Sequence, residues 1–252
     1  MKHRSFIIAV FLTLAFVVPI HAQVVFDGTI GPAGNTALPG PDYDIRAEYG
    51  HRVEANLFHS FQQFSIGENE SATFRGPAFV ENIISRVTGG DVSQIDGTLR
   101  SAISGADLYF LNPAGVMFGP TADLDISGSL HISTADYLSM GGDERFYAMP
   151  RESEVLSSAP PAAFGFLDSA IEPITFDGCD IGFSGETFSV IGGDIRINSG
   201  NITNEKGRLN LASVASPGEL RLVESENIED ADVDVSSFAK MGDITISGNG
   251  ED

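Results

Sequence analysis

The feature that most constrains the fold is a short triplet, apolar–x–apolar, that recurs next to glycine. It appears as Leu124-Asp125-Ile126, Leu130-His131-Ile132, Ile195-Arg196-Ile197, Leu209-Asn210-Leu211, Leu220-Arg221-Leu222, Val233-Asp234-Val235 and Ile244-Thr245-Ile246. Alternation at period 2 sends the outer side chains to one face of a strand and the middle one to the other. The middle residues are mostly charged or polar, as strands with one buried face require. No long stretch carries apolar residues at i, i+3, i+4 and i+7 between caps, so helical signals are weak throughout.

The spacing narrows the choice. From residue 195 the triplets begin at 195, 209, 220, 233 and 244, and Gly193, Gly207, Gly218 and Gly242 sit at or before most of them. Short strands at such intervals suit a sandwich, a barrel or a β-solenoid. A sandwich would show tight hairpin turns between paired strands. Asp27-Gly28, Asp96-Gly97 and Asp177-Gly178 are of that type, but none falls in the quasi-regular tail. Small rungs cornered by glycine favour a solenoid. Pro150, Pro160, Pro161 and Pro173 break the pattern across 141–173. Proline cannot donate to a ladder, so this stretch is expected to be a connection or an excursion outside the helix of strands. It divides a denser part, 23–140, from 174–252, which reads as additional rungs. The final triplet and Ser247 to Asp252 look like a rung and its corner with no cap. Either the acidic tail suffices there, or the chain is the front of something longer.

Composition excludes several partners. Among 252 residues, 14 Lys and Arg face 35 Asp and Glu, a formal charge of −21. Phosphate binding needs a basic face, so nucleic acid is excluded as a partner, and adsorption to anionic lipid is disfavoured. The single Cys179 allows no internal disulfide and no cysteine-cluster metal site. Lys2 and Arg4 precede an apolar run of 13 residues, Phe6 to Val18, which ends near the small Ala22. That run is short of the roughly 20 residues needed to span a bilayer, so 1–22 reads as a secretory signal peptide. The rest is expected to be exported through the Sec translocon and to be water-soluble.

Asn112-Pro113-Ala114-Gly115 carries its own turn chemistry. Asn can bond its own backbone, Pro presets φ at the second position, and Gly suits the fourth, as in a type I turn. It joins the apolar runs Leu108 to Leu111 and Val116 to Phe118. On local chemistry alone it is a corner between two buried strands.

Several blocks in fixed order extend the reading. They are Asn56-Leu57-Phe58-His59-Ser60-Phe61 with Phe64, and Ala72-Thr73-Phe74. Next come Asn82-Ile83-Ile84-Ser85-Arg86-Val87-Thr88-Gly89-Gly90 and Ser93-Gln94-Ile95-Asp96-Gly97-Thr98-Leu99. The last are Asn112 to Val116 with Phe118-Gly119-Pro120, and Gly128 to Leu138. Together they resemble the N-terminal secretion domain of filamentous-haemagglutinin-like exoproteins, the exported partners in bacterial two-partner secretion. The resemblance implies an all-β chain forming a right-handed parallel β-helix, with residues 23–50 as an N-terminal cap and an extra-helical excursion.

It also implies a partner. The domain would be bound by the periplasmic POTRA domains of a dedicated outer-membrane transporter and passed outward to the cell surface or medium, where such proteins often act as adhesins. Asn112, Pro113, Ala114, Gly115 and Val116 match the family's second signature turn. Its first, an Asn-Pro-Asn-Leu turn, is missing; the corresponding stretch carries Asn82, Ile83, Arg86 and Val87 and no proline. Both segments are expected to serve transporter recognition. Asn112→Ala, or a bulky residue at Gly115, is expected to lower secretion more than stability.

Two other readings compete. One is a stand-alone β-helix that binds host or surface glycans. The other is a polysaccharide-active enzyme, built from Arg86 with Asp91 or Asp96, or from His51 with His59. Charged residues at rung middles are ordinarily a solvated face, so no catalytic residue is assigned. Gly-Gly-Asp at 89–91, 141–143 and 192–194 lacks the full calcium-binding repeat. No cofactor and no metal are expected.

Overall fold

The computed structural model describes residues 23–152, 154–205, 207–223 and 233–248. The expected signal peptide, 1–22, and the last four residues of the tail lie outside the described residues. The described chain is nearly all β and winds as a parallel β-solenoid of about seven turns. This is the solenoid favoured by the triplets, in the parallel β-helical form that the resemblance implies.

One face stacks Asn56–Phe64, Asn82–Val87, Asp107–Leu111, Leu130–Ser133, Thr187–Gly192 and Arg208–Ser213, all in parallel. We call it the first face. A second face stacks Ser93–Ile95, Val116–Phe118, Ile174–Asp177, Ile195–Asn198 and Ile244–Ser247. A third holds Asp42–Arg46, Ser71–Arg75, Thr98–Ser101 and Asp123–Asp125.

Register explains the interior. Along the first face Leu57, Ile83, Leu108, Leu130 and Phe188 are successive ladder partners, and each is fully buried. Burying such a side chain contributes about 1.5–3 kcal/mol. On the second face the Phe118 and Phe176 rings stack at 4.7 Å. A slip of one residue would turn these columns outward, so register is strongly specified.

The N-terminal residues close the first rung. Val24–Phe26 pairs antiparallel with Asn56–Phe64, and Phe26 stacks on Phe61 at 5.0 Å. The outer edge of this strand is itself bonded, through Phe26 N–H to Thr36 O and Leu38 N–H to Val24 O.

The proline-containing stretch leaves the solenoid and builds a second layer. Arg145–Tyr147 and Pro161–Phe166 join Tyr137–Met140, Gly218–Leu222 and Val233–Asp234 in an antiparallel sheet. Pro161 opens its strand, a place where a missing N–H is tolerated. Tyr137 lies across Gly165, where an added Cβ would fall 1.9 Å from the ring. A second core forms between this sheet and the outward side of the first face, including Phe58, Ile84, Tyr109, Leu138, Phe146 and Phe164.

Two tail triplets therefore depart from the rung reading. Leu220-Arg221-Leu222 and Val233-Asp234 belong to the antiparallel sheet. Period-2 alternation serves either pairing sense and carries no strand direction. His131, a middle residue, is buried because the second layer covers it. On the last described rung the outer positions Leu209, Ile244 and Ile246 are exposed, since no further described strand lies over them.

His59 points into the solenoid among Phe26, Phe61 and Phe74, and neither ring nitrogen has a partner among the described residues. Burial pushes its pKa from 6.5 down to about 3, and that of His131 down to about 4. Both imidazoles must be neutral in the folded state, while the unfolded chain takes up the proton. Their contribution is complete above pH 6.5 and is lost as pH falls from there toward the folded values. Each histidine should remove up to about 1.4 kcal/mol per pH unit across that window. Urea unfolding is expected to show midpoints that fall steadily below pH 6.5, with a shallower fall in His59→Leu. An unchanged slope in that variant would contradict this assignment.

Candidate functional site

The signature turn follows directly from its residues. Asn112 ends the strand Asp107–Leu111, and its N–H donates to Ser133 O at 2.9 Å. Its Oδ1 accepts the Ala114 N–H at 3.0 Å, and its carbonyl accepts the Gly115 N–H at 3.0 Å, which closes the four-residue turn. Its Nδ2 donates to Asp91 O and to Ser93 Oγ, both at 2.9 Å. Gly115 adopts φ +110°, a conformation that disfavours side chains. Asn112, Gly115 and Val116 are buried, and Pro113 and Ala114 are half-buried. The turn thus fixes the 91–93 loop. Asp91 and Val92 there line a cleft of about 360 Å³ with Gln63 and Gln94.

The second segment is also inside. Asn82, Ile83, Arg86 and Val87 are all buried. Ile83 and Val87 face the solenoid core. Asn82 and Arg86 face the second layer. Asn82 Nδ2 donates to Asn56 Oδ1 at 2.9 Å, and Asn56 Nδ2 donates to Ser157 O at 2.9 Å and Ala159 O at 2.8 Å.

Arg86, only 1% exposed, is the hub. Nε donates to Ser60 Oγ at 2.8 Å on the neighbouring rung. Nη2 donates to Thr29 Oγ1 at 3.2 Å in the N-terminal cap. Nη1 donates to Tyr147 O at 2.7 Å and pairs with the Glu154 carboxylate at 2.7 Å. The guanidinium also lies over the Phe146 ring, 4.6 Å from its centre. Asp27 completes the network by accepting from Ser60 Oγ at 2.6 Å and Thr88 Oγ1 at 2.9 Å. Beside it a cleft of about 730 Å³ opens between Ile30, Val53 and Leu156, with His51 and Arg151 among its lining.

The competing chemistry does not assemble as the sequence suggested. The carboxylate paired with Arg86 is Glu154, whereas Asp91 accepts from Gln63 and Asp96 from Thr121. His51 is exposed while His59 is sealed in the core. Among the described residues no group of three or more His, Cys, Asp or Glu could hold a metal ion. Asn56, Asp27, Phe146 and Glu154 were invisible as site residues, because their partners lie 26 to 103 positions away. Asn56 alone carried a signal, as the first residue of a resemblance block.

The comparison with known families decides the identity. The family model for the TPS secretion domain matches residues 40–250, most of the chain. The chain belongs to the TPS secretion-domain family. It is also similar to the heme/hemopexin-binding protein of Haemophilus influenzae, at 25% identity over 202 residues. That match covers 75% of this chain and 20% of the relative, so the chain spans about a fifth of that protein's length. Two-partner secretion exoproteins cross the outer membrane to the cell surface or medium, and this chain carries their secretion domain.

The burial of Asn112 changes what its substitution should do. Asn112→Ala removes both side-chain donors and leaves Asp91 O and Ser93 Oγ without them, a loss of about 1–3 kcal/mol. Urea unfolding of this TPS domain should register that loss directly. An unfolding curve equal to wild type would show that the turn carries no structural load.

Proposed function

We propose that a dedicated outer-membrane transporter recognises this domain through its periplasmic POTRA domains, using segments 82–87 and 112–116 before they are fully packed. The observation that carries this is burial. Asn82, Ile83, Arg86, Val87, Asn112 and Val116 each expose 9% or less of their surface in the folded domain. A buried side chain cannot be touched by a partner resting on the folded surface. If these residues are read, the transporter meets a chain that is not yet closed. The low cysteine count fits that order, since no disulfide locks the chain before it crosses a second membrane. In this reading the signal peptide at 1–22 takes the chain through the Sec translocon. Full packing of these segments follows recognition.

The test is a titration of residues 23–252 with the periplasmic domains of the transporter, at rising sub-denaturing urea. Tighter apparent binding as the domain loosens, up to the onset of global unfolding, is the expected result. Binding that only weakens with urea would place recognition on the folded surface instead. Absence of binding at every concentration would remove the transporter role.

A further inference from the structure

We infer that residues 141–152 and 154–160 form a strap that must lift from the first face before the transporter binds, and that the partner takes over the strap's own contacts. This rests on the transporter reading above. Among the described residues the strap's only strand is paired on one side. Its strand Arg145–Tyr147 is three residues long, lies at the sheet edge and pairs with Tyr137–Met140 alone. At its base it is also held by Ala148 N–H to Asp136 O, by Gly141 N–H to Pro160 O and by the Arg145–Glu219 ion pair. Its middle rests on the two strands Asn56–Phe64 and Asn82–Val87 through side-chain contacts.

Those strands present three in-register pairs toward it: Asn56 beside Asn82, Phe58 beside Ile84, and Ser60 beside Arg86. The strap answers each. The Ser157 and Ala159 carbonyls accept from Asn56. Phe146 packs on Phe58 at 5.2 Å. The Glu154 carboxylate pairs with Arg86. Its packing is incomplete on the side toward the cap, where the cleft of about 730 Å³ opens, and Met149 and Val155 face solvent at 55% and 68% exposure. Edge pairing on one side, an adjacent cleft and exposed apolar side chains mark a low-stability element.

With the strap lifted, these two strands display an amide row, an apolar row and a guanidinium. The partner that fits supplies backbone carbonyls, an aromatic or aliphatic side chain and a carboxylate, in the arrangement the strap now provides. While the strap is docked, the apparent affinity for that partner is reduced by the fraction of molecules with the strap open.

Two variants loosen the strap without touching the strands. Glu154→Gln removes the ion pair, and Leu156→Ala trims an apolar contact and strands no charge. Hydrogen exchange followed by mass spectrometry should show faster exchange across 141–160, with Asp107–Leu111 still protected. Titration with the transporter's periplasmic domains should then give a dissociation constant lower than wild type by about fivefold or more, as the open fraction rises. Faster strap exchange with unchanged or weaker binding would overturn the strap and leave the transporter role standing. No binding by wild type or either variant would overturn both. If Glu154→Gln fails to fold, Leu156→Ala decides alone.

Discussion

The Arg86 guanidinium is the contact on which the rest of this domain depends. Removing a cation from water costs several kcal/mol, and that cost is recovered only when its donors are satisfied. Here they are met by Ser60 on the adjacent rung, Thr29 in the cap, and Tyr147 and Glu154 in the strap. One side chain therefore joins three parts of the chain that are otherwise far apart in sequence. Its specificity follows from geometry, because the planar fork reaches three directions at once. An apolar residue at 86 could fill the space, but it would leave Glu154 buried without a cation.

The solenoid interior and the second layer divide the work of stabilisation. Stacked columns such as Leu57, Ile83, Leu108 and Leu130 set the register and bury the largest apolar surface. The outward side of the same strands would be an exposed apolar face if the antiparallel sheet did not lie on it. Segment 82–87 therefore carries load on both of its sides, which accounts for the burial of every residue in it.

A solenoid was legible because short apolar–x–apolar strands recur with glycine at their corners, and its parallel form was implied by the family resemblance. The turn at 112–115 was legible because all four of its residues act on one another within four positions. Strand direction was not. Residues 218–222 have the same alternation as a rung, yet they pair antiparallel with Pro161–Phe166. The burial of His131 was not legible either, since it depends on a sheet built from distant segments. Arg86 stood in a recognisable block, but its partner Glu154 is 68 residues away in a proline-containing stretch with no periodicity. Local pattern contains nothing that would join them.

The most direct measurement is a double-mutant cycle between Arg86 and Glu154, read by equilibrium unfolding of residues 23–252. Arg86→Met and Glu154→Leu would be made singly and together. Each single change should cost about 3–5 kcal/mol, because it leaves an uncompensated buried charge, and the double variant should cost less than either. Non-additivity of that sign, well beyond about 0.5 kcal/mol, would establish the pair as the junction of cap, rung and strap. Additive losses would contradict it and would return the stability of the domain to its stacked apolar columns alone.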